Sequence, residues 1–546
     1  MCTVGQVTAV GRRIARPDGE HQRVRRLTRA LSVLGLLGGL LLALPAHAGV
    51  TNPTGVQPQQ SAAPPVTGAP GAKVCTQHLL VHDFKSSYYK PGLATYRPAC
   101  AGPWSKVVLS LTGSVTGVQF DRTLAVFLGG TMLLRGTTSE PCCTPGTDNA
   151  VQWTVQRDVS DLATLFTTAQ PVAMELDNVN DSTYTGVYHV VVDVTFYGTT
   201  AAAKPLAPPS WIASVNPPTP GAMYEISERG MTVGADITPP RSLTRLTAQL
   251  FADGHGPCEE FWWSEPSQCG NGMPFREVAV YLDGRLAGAA PVYPVVYTGA
   301  NGPGLWEPIP SPRAWDARPY LVDLTPFVGT LVDGRTHRVA VGILDAVYQK
   351  GDYWPVSATL LGETGHGVTH GALTSASPGS SVTTSSADAT LFDQAHRLAF
   401  SGTVTNAGKT VTTTVTHTLT ASATIGPAQA RDTWSWTQSV LTAGPHKTLV
   451  TTTDTYGLAN EPVAHFSFSD AESVDTTVDG KAQPSRSYDV TMSTSAVGLA
   501  YHGVERESWT VQSGTDCYRR QLTAVAGQVL GDVSGCTVPA LPDPLA

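Results

Sequence analysis

An internal repeat constrains the fold of this chain more than any other feature of its sequence. Residues 120–130 (Phe-Asp-Arg-Thr-Leu-Ala-Val-Phe-Leu-Gly-Gly) resemble residues 275–284 (Phe-Arg-Glu-Val-Ala-Val-Tyr-Leu-Asp-Gly). In each copy an apolar run is followed by a glycine turn and a second apolar run, as a β-hairpin requires. An acidic, turn-like element and another strand-like run follow each copy, beginning at residues 157–162 and 322–327. Two similar antiparallel sandwiches in tandem account for this pattern.

Composition favours an all-β fold for the whole chain. Only 14% of the 546 residues are charged, against roughly a quarter in an ordinary soluble domain. A helical bundle would need many more Lys and Glu residues on its exposed faces. The hydrophobic content of 41% is sufficient for packed cores. The net charge of −8 gives no basic surface for nucleic acid, so we expect no nucleic-acid partner.

The N-terminus has the pattern of an export signal. Arginines precede an apolar run at residues 31–44, and residues 46–48 (Ala-His-Ala) have the small-x-small form of a cleavage site. The apolar run is too short to span a bilayer, which needs roughly 20 residues. We therefore expect residues 1–48 to be a signal peptide and the mature protein to be secreted, with no membrane association. Residues 25–26 (Arg-Arg) leave Sec and twin-arginine export both open.

Stretches rich in Pro, Ser, Thr and Gly divide the remaining chain. We predict a flexible lead-in, two antiparallel sandwiches, a linker and a C-terminal β domain, at residues 49–73, 74–205, 206–365, 366–389 and 390–546. In the last of these, residues 410–419 alternate between threonines and mainly apolar residues, which is the period of a half-buried strand. The C-terminal domain is predicted to resemble a sandwich, and either a carbohydrate-binding or a scaffold role remains open.

Cysteine usage favours disulfides over a metal site. Of the nine cysteines, Cys2 lies in the signal segment, and the remaining even number in an exported chain favours disulfides. No C-x-x-C pair offers the spacing of zinc ligands, so we expect no metal. The short-loop pairs Cys258–Cys269 and Cys517–Cys536 are the expected bridges. Spacing leaves the partners of four cysteines open: Cys75, Cys100, Cys142 and Cys143.

Two segments carry candidate site residues. Asp121 begins a strand that is expected to be buried, where an acid is costly unless it is paired or functional. The alternative is a structural turn or ion pair between Asp121 and Arg122. Residues 255–263 (His-Gly-Pro-Cys-Glu-Glu-Phe-Trp-Trp) place carboxylates beside aromatic rings, which suits a carbohydrate. The alternative is an exposed disulfide loop whose Trp residues fill the end of a sandwich.

Several motifs in order resemble the peptide-N-glycosidase A family. They are residues 100–109 (CAGPWSKVVL), 120–122 (FDR), 184–190 (YTGVYHV) and 274–278 (PFREV). Members of that family are secreted glycoamidases that release N-glycans from glycopeptides. The more distant peptide-N-glycosidase F consists of two tandem eight-stranded jelly rolls with the active site between them. The resemblance therefore implies the same tandem fold, which the repeat predicts independently.

The resemblance to peptide-N-glycosidase F also implies which acids act. In that family the catalytic Asp follows an aromatic residue and precedes Arg, as Asp121 does here. The catalytic Glu follows Cys-x and precedes an aromatic residue, which matches Glu260 and puts Glu259 in the spacer position. We expect Asp121 to be the principal acid/base at the amide. Glu260 is expected to hold the first sugar or to orient the attacking water.

Further site residues follow from the same resemblance. Asn180 or Asp181 stands where the family has a third acid, and Arg313 corresponds to an arginine of the second jelly roll. Arg122 and Arg276 would stabilise negative charge at the reacting amide. The glycan would contact three residues of the second candidate segment, His255, Trp262 and Trp263.

The resulting functional expectation is a hydrolase of N-glycopeptides or denatured glycoproteins that cleaves the bond between Asn and the first N-acetylglucosamine. The resemblance implies no cofactor, because two carboxyl groups suffice for the chemistry. Two alternatives remain open: a non-catalytic glycan-binding or adhesion protein on the same fold, and a glycoside hydrolase that uses the same pair of acids.

Overall fold

The structure is a computed structural model, and strands dominate it. It describes residues 56–141, 150–256, 274–293, 308–311, 313–344, 351–379, 382–385, 391–426, 429–461, 465–495, 504–514, 516–525 and 528–536. Short helices there are the 3-10 helices Ser160–Thr167 and Thr325–Phe327 and the α-helix Val328–Leu331. Within these ranges, no helix has both the length and the apolar character needed to cross a membrane. The predicted all-β class is confirmed.

The first part of the chain folds into a jelly roll. Its strands are β1 (Val56–Pro58), β2 (Val74–Phe84), β3 (Gly92–Tyr96), β4 (Trp104–Thr116), β5 (Thr123–Leu128), β6 (Thr131–Thr137), β7 (Ala150–Asp158), β8 (Gln170–Leu176) and β9 (Val187–Gly198). One sheet has the order β1-β7-β4-β9-β2 and the other β3-β8-β5-β6. Apart from β1, this is the strand order of a double Greek key. The apolar faces of both sheets enclose a core that includes Trp153, Phe166 and Phe196.

The second part repeats this topology. Its strands are β10 (Trp211–Ser214), β11 (Tyr224–Ile226), β12 (Thr232–Ile237), β13 (Leu243–Ala252), β14 (Glu277–Leu282), β15 (Arg285–Pro291), β16 (Tyr320–Asp323), β17 (His337–Leu344) and β18 (Trp354–Thr364). The sheets have the orders β10-β18-β13-β16 and β12-β17-β14-β15, with β11 also paired to β18. Strand for strand, this is the order seen in the first roll, so the predicted tandem pair of jelly rolls is confirmed.

The repeated motif is one equivalent hairpin in each roll. In the first roll the β5–β6 turn is Gly129-Gly130, with φ of 60° and 80°. In the second roll the β14–β15 turn is Asp283-Gly284, with φ of 49° and 78°. Two successive positive φ angles are what a two-residue hairpin turn of type I′ requires, which explains the glycines. The hairpins occupy the same place in both sheets, so the sequence repeat reports a structural repeat.

The C-terminal part is one large sheet and not the sandwich that we predicted. Its strands are β19 (His370–Ser377), β20 (Val382–Ser385), β21 (Leu391–Asn406), β22 (Lys409–Gly426), β23 (Gln429–Ala443), β24 (Lys447–Glu461), β25 (His465–Val478), β26 (Lys481–Ala482), β27 (Arg486–Ser495), β28 (Val504–Ser513), β29 (Asp516–Val525) and β30 (Gln528–Gly535). The main path is β19-β21-β22-β23-β24-β25-β27-β28-β29-β30. Its apolar face shares one core with the second roll, where Phe327 packs on Phe400 with ring centroids 5.2 Å apart. Because the second roll covers this face, no second sheet is needed there.

The region predicted as a linker, residues 366–389, contributes two strands to this sheet. β19 and β20 both pair with β21. Most β19 side chains are exposed. An edge strand with exposed side chains needs no apolar residues, so its sequence resembles that of a loop.

The described disulfides connect residues of one region each. Cys517 is bonded to Cys536, as predicted, with an S–S distance of 2.17 Å. Cys75 is bonded to Cys100, with an S–S distance of 1.99 Å, which resolves one pairing that spacing left open. The predicted Cys258–Cys269 bridge and both Cys142 and Cys143 lie outside the described residues.

The residues that follow β1 join the first roll to the C-terminal sheet, and we call residues 56–63 the N-terminal strap. β1 pairs in parallel with β7. Glu507 on β28 accepts hydrogen bonds from the backbone N–H of Ala62 at 2.5 Å and from the Ser61 hydroxyl at 2.9 Å. The Tyr518 hydroxyl donates to the Ala62 carbonyl at 2.9 Å. The lead-in that we expected to be flexible is therefore held in place over this stretch.

Replacing Glu507 with alanine is expected to destabilise the protein by about 2–4 kcal/mol, because buried donors lose their acceptor. Besides the strap, the indole N–H of Trp509 donates to Glu507 at 2.8 Å. Urea denaturation of Glu507→Ala beside the exposed Glu363→Ala measures this cost. Equal stabilities of the two variants would show that the strap contributes nothing.

Candidate functional site

The jelly rolls pack against each other through one sheet of each. Phe251 of β13 forms a small apolar cluster with four residues of the first roll: Ala125, Phe127, Met132 and Ala173. The Ser214 hydroxyl and the Asn216 amide of the second roll both donate to the Gly130 carbonyl, at 2.7 Å and 2.9 Å. Apolar packing and hydrogen bonds therefore hold the two sheets together.

Charged side chains of both rolls meet beside this contact. Arg135 of β6 donates two bonds to Asp253, which follows β13, from Nε at 3.1 Å and from Nη2 at 2.8 Å. The Nε2 atom of His255 lies 2.6 Å from the Asp253 carboxylate. Burial alone would raise the pKa of Asp253, but Arg135 and His255 together hold it below its usual range. Asp253 is therefore a buried carboxylate that two partners keep ionised.

The same carboxylate orients the His255 ring. An ionised carboxylate only accepts, so Nε2 carries the proton shared with Asp253. The ring also stacks on Tyr353, with centroids 5.3 Å apart and planes inclined by 20°. Backbone bonds between His255 and Tyr353, at 2.9 Å and 3.1 Å, fix the segment after β13 to the start of β18. Gly256 follows with φ of 97°, where a Cβ would lie 2.4 Å from the Gly351 carbonyl oxygen.

Glu175, near the end of β8, is an acid with a strongly altered environment. Burial raises its pKa to about 7, although the positive charge of Arg135 acts in the opposite direction. The carboxyl groups of Asp177 and Asp253 add to the increase. Its Oε2 atom is buried and accepts no hydrogen bond from any residue that the structure describes. Near neutral pH, both the protonated and the ionised form of Glu175 are therefore populated.

Asp177 completes what we call the inter-roll cluster, which consists of Arg135, Glu175, Asp177, Asp253 and His255. Burial raises the pKa of Asp177, while the backbone N–H of Tyr89 (3.1 Å), Arg135, His255 and Arg122 act to lower it. Charged groups of both rolls thus act on one carboxyl group. The predicted site residues Arg122 and His255, from different rolls, are brought to one place.

Two exposed tyrosines lie at the rim of the inter-roll cluster. Tyr88 and Tyr89 belong to the loop between β2 and β3, and 46% and 73% of their surfaces are exposed. Their rings meet edge to face with centroids 5.7 Å apart. Burial and then the Asp177 carboxylate raise the pKa of Tyr88. Exposed aromatic rings beside carboxyl groups form the kind of surface on which a sugar ring stacks.

Asp121 is half-buried and lies just before β5. Its neighbour Arg122 is held by Gln119, whose Oε1 accepts bonds from Nη2 at 2.8 Å and Nε at 3.2 Å. The Arg122 guanidinium lies over the rings of Phe120 and Tyr184, at 5.8 Å and 5.6 Å from their centroids. Arg122 therefore has partners of its own beside the candidate acid.

The segment that carries Asp121 is tied to the loop at residues 178–186. The side-chain amide of Gln119 donates to the carbonyls of Val179 and Gly186, at 2.7 Å and 2.9 Å. The Tyr188 hydroxyl donates to the carbonyl of Phe120 at 2.6 Å. Burial raises the pKa of Tyr188, and Asp121 is close enough to raise it further. These bonds hold the two residues that precede the candidate acid.

Asn180 and Asp181 shape that loop. The Asn180 amide donates to the Thr185 carbonyl at 2.9 Å. One oxygen of Asp181 accepts the backbone N–H groups of Tyr184 and Thr183, at 2.8 Å and 2.7 Å, and these bonds lower its pKa. Both residues therefore have a turn-forming role in the structure, which an acid of the reaction would not need.

Arg276 and Arg313 lie at the contact with the C-terminal sheet. Arg276, just before β14, lines a small cavity together with Asp432 and Trp434 of that sheet. Arg313 lies over the rings of Tyr488 and Trp509, at 5.1 Å and 4.9 Å from their centroids. It also forms an ion pair with the buried Asp470 at 3.6 Å. The described contacts of Arg313 join the second roll to the sheet.

Four predicted site residues lie outside the described residues: Glu259, Glu260, Trp262 and Trp263. Across the described ranges, no group of three or more His, Cys, Asp or Glu side chains is arranged to hold a metal ion.

Sequence analysis missed several members of the inter-roll cluster, although each carries a local signal. Glu175 interrupts an apolar strand, and Arg135 does the same in β6. Asp253 directly follows the apolar end of β13. A charge within or at the end of an apolar strand indicates a partner, but the sequence does not say which residue it is.

Comparison with known proteins finds a family model and a curated relative that are similar to this chain. Residues 63–375 match the family model described as peptide N-acetyl-beta-D-glucosaminyl asparaginase amidase A. The chain is 32% identical, over 321 residues, to peptide-N4-(N-acetyl-beta-glucosaminyl)asparagine amidase A of Prunus dulcis. This alignment covers 53% of the chain and 54% of the Prunus dulcis protein, so the chain spans about half the length of this curated relative.

Two solved structures are also similar to the chain. A glycosylasparaginase from Flavobacterium meningosepticum, PNGase F, is 11% identical, with a TM-score of 0.38 over 55% of this chain and 98% of that one. PNGF-II is 15% identical, with a TM-score of 0.39 over 54% of this chain and 66% of that one.

Proposed function

Because the chain belongs to the peptide N-acetyl-beta-D-glucosaminyl asparaginase amidase A family, we propose that it is a secreted glycoamidase. Its substrate is an N-glycopeptide or a denatured glycoprotein. Water adds to the side-chain amide carbon of the glycosylated Asn, the carbon–nitrogen bond breaks, and the nitrogen takes up a proton. The products are an Asp residue and a glycosylamine that carries the intact glycan.

The observation that supports this proposal most is the convergence of charges from both rolls on Asp177. Arg122 comes from the first roll and His255 from the second, and both act to lower the pKa of this carboxyl group. The family match extends over both rolls and therefore includes both sides of the cluster. Contacts between domains are places where substrate sites commonly form.

Asp121 is the proposed acid/base at the amide. An amide resists attack because of its resonance, so the attacking water must lose a proton and the leaving nitrogen must gain one. The carboxyl group of Asp121 is half-buried, and its chain neighbour Arg122 carries a positive charge held in place by Gln119. Glu260 remains our proposed partner for holding the first sugar or orienting the water.

Glu175 is the proposed proton donor to the leaving nitrogen. Its pKa of about 7 leaves a proton available near neutral pH, which an ordinary glutamate would already have lost. Two carboxyl groups in different environments can divide the roles of base and acid in this way. Glu175 is therefore a further candidate for the third acid, beside Asn180 and Asp181.

Two other groups are proposed to hold the substrate and the site. The exposed rings of Tyr88 and Tyr89 would stack on sugar, and Trp262 and Trp263 remain proposed glycan contacts. Arg135 and Asp253 would fix His255 and keep the two rolls in register. The disulfides Cys75–Cys100 and Cys517–Cys536 are consistent with an oxidising compartment, which supports secretion.

Mass spectrometry of one digested glycopeptide tests the proposed reaction. Amide hydrolysis converts the glycosylated Asn to Asp and frees the whole glycan. A glycoside hydrolase would leave a sugar on the Asn, and a glycan-binding protein would leave the glycopeptide intact. Either of those two products would overturn the proposal.

The raised pKa of Glu175 predicts a pH dependence. We expect kcat/KM for glycan release to fall as the pH rises through about 7, because Glu175 then loses the proton it donates. Since the folded pKa lies above the ordinary value, the protonated form predominates below that pH. Glu175→Gln should lower activity and remove this limb of the profile, whereas the exposed Glu228→Gln should leave it in place. A wild-type profile in Glu175→Gln would rule out this role.

A further inference from the structure

A cavity of about 570 Å³ lies between the second jelly roll and the C-terminal sheet. The strands β13 and β16 form one wall, and β21 to β25 form the other. At one end of the cavity, Lys409 is exposed and Thr448 is half-buried. At the other end, Trp434 and Asp454 are buried. None of the five residues of the inter-roll cluster lines it. Its volume falls within the range of about 300–1,000 Å³ that is usual for small-molecule sites.

Side chains alternate between the two faces of each strand, so every second residue in this part of the C-terminal sheet points toward the cavity. Residues that line the cavity are separated by two positions, as in Trp434, Trp436 and Gln438 on β23. Gln438 is fixed in place, since its Oε1 accepts the backbone N–H of Asp323 at 2.9 Å and its amide donates to the Leu321 carbonyl at 3.2 Å. The wall is therefore a rigid mixture of aromatic rings and polar side chains.

Three buried donors at this cavity have no acceptor among the residues that the structure describes. The indole N–H groups of Trp434 and Trp436 and the hydroxyl of Tyr293 make no hydrogen bond with any described residue. All three residues line the cavity, and between 2% and 7% of each is exposed. A buried donor without an acceptor costs about 1–3 kcal/mol, so three of them in one cavity indicate that something supplies the acceptors.

The charged groups at the inner end largely neutralise one another. Arg318 donates from Nη2 to Asp454 at 2.5 Å and also bonds to Glu472. Burial raises the pKa of Glu472 to about 8, so this carboxyl group holds its proton at neutral pH. At this inner end the ligand therefore meets oxygens, donors and aromatic rings without a strong net charge, which suits a neutral polyhydroxylated molecule, while the basic lining residues Arg245, Lys409 and Arg486 belong to the rest of the cavity.

We propose that this cavity is a second carbohydrate site, which binds a short neutral oligosaccharide between the second jelly roll and the C-terminal sheet. The rings of Trp434, Trp436 and Tyr293 contact the apolar face of a sugar, while their N–H and O–H groups donate to its oxygens. The proposal does not depend on glycoamidase activity, because it concerns binding at residues outside the inter-roll cluster.

Isothermal titration calorimetry of the full mature protein tests the site, with N,N′-diacetylchitobiose, mannobiose and cellobiose as the three ligands. We expect at least one of these sugars to bind at millimolar or lower concentration. Tyr293→Phe removes one unpaired hydroxyl, so it should not lower the melting temperature, but it should weaken binding about two- to tenfold. Trp436→Phe should weaken binding as well.

Tyr456→Phe is the matched control. The Tyr456 hydroxyl is also buried without an acceptor among the described residues, and its ring stacks on Trp434 at 5.6 Å, but Tyr456 does not line the cavity. Its loss should leave binding unchanged. Three results would overturn the proposal: no binding of any of the three sugars, equal affinities of the wild type, Tyr293→Phe and Trp436→Phe, or binding that is lost only in Tyr89→Ala at the inter-roll cluster.

Discussion

Replacement of Asp121 by asparagine is expected to lower the rate of glycan release by about 10²- to 10⁴-fold, the usual contribution of one positioned acid/base group. Asparagine has the same shape as aspartate but does not accept a proton at neutral pH. Asp121 is half-buried and lies outside the sheets, so the melting temperature should remain close to that of the wild type. Mass spectrometry of a glycopeptide digest and a thermal melt of the same preparation provide the two measurements.

Asp83→Asn is the control for this prediction. Asp83 is also an acid of the first roll, but 61% of its side chain is exposed and it pairs with His189 at 2.6 Å. This variant should keep full activity. A folded Asp121→Asn protein that releases glycan at the wild-type rate would refute the catalytic role proposed for Asp121.

Removal of the Arg135 charge is expected to cost about 3–5 kcal/mol of stability, because the carboxylate of Asp253 would lose its principal partner in a buried position. Only 4% of the Arg135 side chain and 6% of the Asp253 side chain are exposed. The free energy of unfolding of a protein is ordinarily about 5–15 kcal/mol, so such a loss is a large fraction of it. Urea denaturation of Arg135→Met measures it.

A second variant separates the charge effect from lost packing. Arg135→Met combined with Asp253→Leu removes both charges, so the pair should recover much of the stability lost in the single variant. Arg338→Met serves as the surface control, since Arg338 and Asp236 have side chains that are 49% and 67% exposed, and it should cost less than about 1 kcal/mol. If the single and double variants are equally unstable, the ion pair does not carry the effect.

The tandem fold was predictable because its signals are local. Each hairpin carries its own turn residues, such as Gly129-Gly130, and its own apolar strands, so neighbouring residues determine the structure. The long alternation in β22 predicted a half-buried strand, and its burial pattern agrees. Alternation does not say what covers the apolar face, which is why we expected a sandwich where the second roll covers a single sheet.

The inter-roll cluster was predictable only in part, because its contacts join distant residues. Arg135 and Asp253 are 118 positions apart, and neither has a motif that names the other. Burial and neighbouring charges set the pKa of Glu175, and both depend on the assembled rolls. The motif around Asp121 singled out Arg122, which lies close enough to Asp177 to lower its pKa. Asn180 and Asp181 were chosen by counting back from residues 197–198, and the structure shows that they also form the turn of their loop.

The N-terminal strap affects the order in which the protein folds. Ser61 and Glu507 are 446 positions apart, so their hydrogen bond forms only when nearly the whole chain has been synthesised. At the usual elongation rates this delay is roughly 20 to 90 s. Local hairpins of the first roll form far faster, within microseconds, and long-range pairing is the slow part of folding. The contact of the strap with the C-terminal sheet therefore forms late, and the first roll has to persist without that contact until the final strands of the sheet arrive.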